Sequence, residues 1–70
     1  MERKEVVLSK EEKEVLKKIF EGKNNREIAS ELFLSRATVK RRISDMLKKL
    51  DLKNRVNLAV YYEQTFIKDK

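Results

Sequence analysis

Residues 24–50 read NNREIASELFLSRATVKRRISDMLKKL, and two amphipathic helical patterns follow each other there with almost no chain between them. The first begins at Asn24 or Asn25, carries apolar residues at positions 28, 29 and 32, and ends near Phe33. The second begins at the N-cap candidate Ser35 and carries apolar residues at positions 39, 43, 46, 47 and 50. Because about two residues separate the helices, they must cross tightly, which predicts a helix-turn-helix.

A helix is predicted on either side of this pair. Ser9 and Glu12 form an S-x-x-E capping box, apolar residues follow at 15, 16, 19 and 20, and Gly22 ends the pattern. Asn54 is the N-cap candidate of a fourth helix that runs toward Phe66. The sequence therefore predicts one all-α, four-helix domain over residues 1–70, with an ordered core of about 8–67.

Composition excludes several classes of function. The chain contains no histidine and no cysteine, so the commonest general base, the thiol nucleophile and the usual zinc ligands are missing. We expect no enzyme, no metal, no cofactor and no small-molecule ligand. No apolar run approaches the 18 or so residues of a membrane span, and residues 1–5 (MERKE) do not resemble a signal peptide. The expected location is the cytoplasm, with no membrane partner.

The positive charge is concentrated in one segment. The chain carries a net charge of +6. Residues 36–55 hold eight basic and two acidic residues, whereas residues 1–35 hold eight of each sign. A lysine-rich solvated surface is the alternative, but such surfaces usually mix the two signs. The segregation favours a surface for a polyanionic partner.

The third helix, about 36–49, presents this charge on one side. On a helical wheel, Ala37, Arg41, Ser44 and Lys48 lie opposite the apolar stripe, and Lys40 flanks them. Small residues allow a helix to approach base edges, and long cationic side chains reach guanine acceptors or phosphates. This arrangement predicts a recognition helix in the major groove of DNA. The predicted base-reading residues are Ala37, Lys40, Arg41 and Ser44.

A second set of residues is placed for phosphate contacts. Arg42, Lys48 and Lys49 lie beside the base-reading residues. Ser35 and Thr38 lie at the N-terminus of the third helix and Arg26 near that of the second, where phosphate binding and ordinary capping are compatible roles.

Three segments of the sequence resemble a known family. They are LSxxExEVL at 8–16, GxNNREIA at 22–29 and LxLSxxTVK at 32–40, with further matches through Val60. They are similar to the LuxR-type helix-turn-helix of the GerE, NarL and FixJ group of bacterial regulators. The resemblance implies four helices, a third that enters the major groove and a fourth that dimerises. It also implies DNA contacts at the positions of Lys40, Arg41 and Ser44, and phosphate contacts at Arg26, Ser35 and Thr38.

The chain departs from the family pattern at three positions. Arg42 stands where many relatives carry histidine, and Ser44 replaces a longer polar residue of some relatives. Phe33 occupies a turn position that often holds glycine or asparagine. It either takes a left-handed conformation at a steric cost or buries its ring under the turn.

The fourth helix has two apolar sides. Val56, Ala59, Val60 and Ile67 lie on one, with Phe66 at its edge, and we assign these to the core. The other side carries Leu58, Tyr61, Tyr62 and Thr65. We assign this side to a homodimer interface, because tyrosine is enriched at interfaces. The dimer would place two recognition helices on an inverted repeat, and pairing on DNA alone is compatible with so small a surface.

These features predict sequence-specific binding of double-stranded DNA by a bacterial transcription regulator or its C-terminal effector domain. RNA polymerase is a further candidate partner. Two alternatives remain at this point. One is a promoter-binding module like sigma region four, which would usually stop soon after the recognition helix. The other is a protein-interaction antagonist of a regulator, which would be expected to have a neutral or acidic third helix.

Overall fold

A computed structural model describes residues 7–67 of the protein. The flanks of the predicted ordered core, residues 1–6 and 68–70, lie outside the described residues. Within residues 7–67 the chain forms α1 (Lys10–Phe20), α2 (Asn25–Leu32), α3 (Arg36–Leu50) and α4 (Arg55–Tyr62), followed by a π-helical turn (Glu63–Ile67). The predicted all-α, four-helix architecture is confirmed, and α3 agrees with the predicted recognition helix to within about a residue at its C-terminal end.

Short-range hydrogen bonds set where the helices begin. Ser9 caps α1 and Asn24 caps α2, and in each the acidic residue three positions later hydrogen-bonds back to the cap backbone. Ser35 caps α3 through its hydroxyl, which accepts the Thr38 backbone N–H at 3.0 Å. Asn54 caps α4. All four predicted N-caps are therefore confirmed, counting Asn24 as the earlier of two candidates for α2.

Three residues with positive φ follow three of the helices. Gly22 has a φ of 86° and Phe33 and Asp51 a φ of 58° each. The Leu34 N–H donates to the Ala29 carbonyl at 2.9 Å, which closes the end of α2. The Phe33 side chain is 94% exposed. Of the two predicted arrangements for Phe33, the left-handed one is correct and the buried ring is wrong, because the left-handed backbone directs this side chain into solvent.

The core lies at the centre of the four helices, and each supplies at least one fully buried large side chain. These are Leu16, Ile28, Met46 and Leu58. Burial of one such side chain stabilises the fold by about 1.5–3 kcal/mol. The most extensive packing is of α1 on α4, and α2 packs mainly on α3. The α2–α3 pair is thereby held on a base formed by the first and last helices.

The assignment of the two sides of α4 is wrong. Leu58 is fully buried, and Tyr61 and Tyr62 are half-buried against the core. Val56, Val60 and Ile67, which the sequence predicts in the core, are 68%, 42% and 53% exposed. Ala59 is partly buried against the core, as predicted. The physical reason for the difference is size, because a leucine and two tyrosines remove more apolar surface from water than two valines do. The predicted dimer interface of Leu58, Tyr61 and Tyr62 is therefore the core side of α4, and Thr65 lies exposed beyond it.

None of the helices found between residues 7 and 67 has the length and apolar character needed to cross a membrane.

Candidate nucleic-acid interface

The core fixes which side of α3 faces outward. Val39, Ile43 and Met46 are buried on one side of the helix. The opposite side is exposed, and we call it the basic face of α3. Its members are Ala37, Lys40, Arg41, Ser44 and Lys48. The structure thus brings all four predicted base-reading residues, with Lys48, onto one solvent-exposed surface.

The cations of the basic face have no acidic partner within residues 7–67. Lys40, Arg41 and Lys48 form no ion pair and no side-chain hydrogen bond with another described residue. Ala37 and Ser44 are short, so the long side chains project beside a shallow strip of helix surface. Such a surface suits an anion that is larger than one carboxylate and that approaches from outside the domain.

Arg42 and Lys49 differ from these three cations, because both are paired with α1. The Arg42 Nε donates to Glu11 Oε1 at 2.6 Å. The hydrogen bond and charge of Glu11 raise the pKa of the Arg42 guanidinium. The Lys49 Nζ lies 2.9 and 3.0 Å from the two carboxylate oxygens of Glu12. The sequence predicted phosphate contacts for both residues and did not predict these ion pairs, whose partners are 31 and 37 positions away.

Glu12 links the start of α1 to the end of α3. Besides Lys49, its carboxylate accepts the Ser9 backbone N–H at 2.9 Å, and the residue is only 6% exposed. Burial alone would raise the pKa of Glu12, but the hydrogen bonds from Ser9 and Lys49 outweigh burial and lower it. The ion pair therefore holds α3 at a defined position on α1.

Ser35, Thr38 and Arg26 surround the helix-turn-helix junction. The Ser35 hydroxyl accepts the Thr38 N–H and also donates to the Thr38 hydroxyl at 2.9 Å, so both side chains serve the cap. Arg26 is exposed on the first turn of α2, where it lines a shallow depression with Asn24, Glu27, Ser30 and Glu31. Capping of α3 is thus established by geometry, while exposure leaves Arg26 accessible to an anion.

Arg55 has a structural role that the sequence did not predict. Its guanidinium donates to the Asn25 side chain at 2.6 Å and to the Lys23 carbonyl at 2.7 Å. These bonds attach the start of α4 to the segment that precedes α2. With Arg42 and Lys49, three of the eight cations in residues 36–55 are therefore engaged with the protein itself.

Comparison with known proteins matches this architecture to one family. The family model described as "Bacterial regulatory proteins, luxR family" matches residues 6–62. The chain belongs to this family. The resemblance predicted from the sequence is confirmed, and with it the helix-turn-helix fold class. Transcription regulators of the LuxR family bind DNA, and their response-regulator effector domains carry this helix-turn-helix.

Individual relatives support the same assignment. The transcriptional regulatory protein LiaR of Bacillus subtilis is 50% identical over 54 residues, which are 77% of this chain and 26% of LiaR. The spore germination protein GerE of the same organism is 43% identical over 54 residues, 77% of this chain and 73% of GerE. The nitrate/nitrite response regulator NarL of Escherichia coli K12 is 42% identical over 57 residues, 81% of this chain and 26% of NarL. The chain spans about a quarter of the length of LiaR and NarL, and most of GerE.

Proposed function

We propose that this LuxR-family domain binds double-stranded DNA in a sequence-specific manner and regulates transcription, with α3 in the major groove. The observation that carries the proposal is the basic face of α3, whose three cations have no acidic partner between residues 7 and 67. The domain acts as a single binding unit in the cytoplasm and not as an enzyme.

The proposed contacts divide into two kinds. Ala37, Lys40, Arg41 and Ser44 read bases, because they form the exposed strip nearest the N-terminal half of α3. Lys48 and Arg26 bind phosphates. The positive end of the α3 dipole, where Ser35 and Thr38 form the cap, faces another phosphate. Arg42 and Lys49 bind phosphates only in competition with Glu11 and Glu12, so they contribute less to DNA affinity than Lys48 and Arg26 do.

The test is selection of bound duplexes from a random pool, followed by Arg41→Ala on the selected site. Arg41 lies at the centre of the basic face, so we expect a loss of about 1–3 kcal/mol on that site and a smaller loss on random duplex. Lys17→Ala, which removes an exposed cation from α1, is the matched control and should change both affinities little. An equal loss on both DNAs would make Arg41 a phosphate contact, and an unenriched pool would refute sequence-specific binding.

Self-association through α4 is proposed on its outer side. Val56 and Val60 lie one turn apart on α4 and are 68% and 42% exposed. Ile67, which is 53% exposed, extends the apolar surface onto the π-helical turn. Exposed apolar surface of this kind favours burial against a second copy, which would place two α3 helices about 34–36 Å apart on an inverted repeat.

The test of this proposal is Val60→Glu, with Gln64→Glu as a control of equal charge change at an exposed position. We expect Val60→Glu to retain its helical circular dichroism and to lose cooperative binding to a two-half-site duplex, while the control keeps it. Undiminished cooperativity in Val60→Glu would exclude this surface as the interface.

The two alternative functions are not favoured. A protein-interaction antagonist without DNA binding would not need three cations on α3 that lack acidic partners within residues 7–67. A module like sigma region four would not need α4, which supplies the fully buried Leu58. A contact with RNA polymerase remains compatible with the DNA-bound regulator and would use surfaces outside the basic face.

A further inference from the structure

The ion pair between Arg42 and Glu11 lies at the edge of the basic face of α3. Arg42 follows Arg41 directly in the sequence, and its guanidinium is held 2.6 Å from a carboxylate on the first turn of α1. The side chains of Arg42 and Glu11 are 32% and 36% exposed. The ion pair is therefore partly exposed to solvent, and a ligand that approaches α3 can contact it.

The pairing changes what Arg42 offers to an anion. A phosphate meets a nearly neutral pair rather than a full positive charge, because the carboxylate lies against the guanidinium. A full phosphate contact by Arg42 requires that Glu11 be displaced or that the guanidinium be shared. Lys48, on the same helix and without an acidic partner among the described residues, carries no such restriction.

We propose that Glu11 is an affinity-limiting residue, which holds Arg42 on α1 and so withdraws one cation of α3 from the phosphate backbone of DNA. The proposal rests on the DNA binding proposed above and adds a residue outside the helix-turn-helix to the set that determines its strength. Since phosphate contacts bind DNA of any sequence, the pairing lowers affinity for all duplexes alike.

The test is Glu11→Gln, which keeps the shape of the side chain and removes its charge. Binding to a duplex is followed by fluorescence anisotropy between 50 and 200 mM salt. We expect tighter binding at low salt and a salt dependence steeper by about 0.9 units of slope, so that affinity falls by an additional factor of about 3.5 over this fourfold range. Glu14→Gln is the matched control: it removes an acid one turn further along α1 that has no ion pair within residues 7–67.

Glu11→Gln is also made in an Arg42→Ala background. This variant separates the effect of the Glu11–Arg42 ion pair from the general effect of removing one negative charge. Without Arg42 there is no cation to release, so Glu11→Gln should then match Glu14→Gln in both affinity and slope. Circular dichroism on all variants verifies that the fold is retained.

Three results would overturn the proposal. Glu11→Gln could behave like Glu14→Gln, it could act equally with and without Arg42, or it could weaken binding, which would make Glu11 an aid to the Arg42 contact. Each of these leaves the proposed function standing, because the parent still binds. A parent protein without salt-dependent DNA binding would refute the proposed function and this inference together.

Discussion

At the scale of single residues, Glu12 stabilises two helices at once, because it closes the capping box of α1 and pairs with Lys49 of α3. Its pKa is lowered in the folded state, so its contribution is present at neutral pH and is lost as the pH falls through that lowered value. We therefore expect Glu12→Gln to be less stable than the parent at pH 7. The difference should narrow below the ordinary glutamate pKa of about 4.3 and vanish at lower pH.

The measurement is chemical denaturation of the two proteins at several pH values between 7 and 2. Glu14→Gln serves as the control, since Glu14 is exposed and makes no ion pair within the described part of the chain. Its difference from the parent should be small at every pH. If the difference in unfolding free energy between Glu12→Gln and the parent stays constant from pH 7 to pH 2, the charge of Glu12 contributes nothing to stability.

At the scale of elements, the turn between α2 and α3 has a residue that suits it poorly. Phe33 adopts a left-handed conformation, which costs a non-glycine residue about 1 kcal/mol or more, and its exposed ring gains little burial in return. Phe33→Gly should raise the free energy of unfolding by up to about 1 kcal/mol, less the greater entropy of glycine in the unfolded chain.

Thermal and urea unfolding would measure this gain. Asp51 has the same φ of 58° at the end of α3, and aspartate tolerates it better than phenylalanine does, so Asp51→Gly should gain less. If Phe33→Gly were destabilising, the ring would be making a contact that its 94% exposure does not indicate.

The elements also separate what the sequence predicts from what it does not. The caps at Ser9, Asn24 and Ser35 were predictable because donor and acceptor are three residues apart. The basic face of α3 was predictable because one clear apolar stripe fixes the rotation of the helix. Arg42 pairs with a residue 31 positions away, which no local pattern encodes. In α4 both sides are apolar, so only the packing against α1 decides that Leu58 is inside.

At the scale of the whole molecule, Leu58 connects the last helix to the common core. It is fully buried, whereas Val56 on the same helix is 68% exposed. Leu58→Ala should therefore cost about 2–5 kcal/mol, a large part of the stability of so small a domain. Val56→Ala should change the stability by no more than about 0.5 kcal/mol. Urea unfolding of the two variants measures both losses of stability. If the two substitutions cost similar amounts of unfolding free energy, the described orientation of α4, with Leu58 in the core, would be wrong.

The packing of α1 on α4 has a consequence for how the protein is made. The first helix has its most extensive partner at the other end of the described chain, and Leu58 reaches the core only with that last helix. A ribosome, which adds about 5–20 residues per second, releases all of α3 before the residues of α4 that complete its packing. The nascent chain therefore carries its cationic helix without a stable domain around it, and the α2–α3 pair gains its stable base only once α4 has left the exit tunnel.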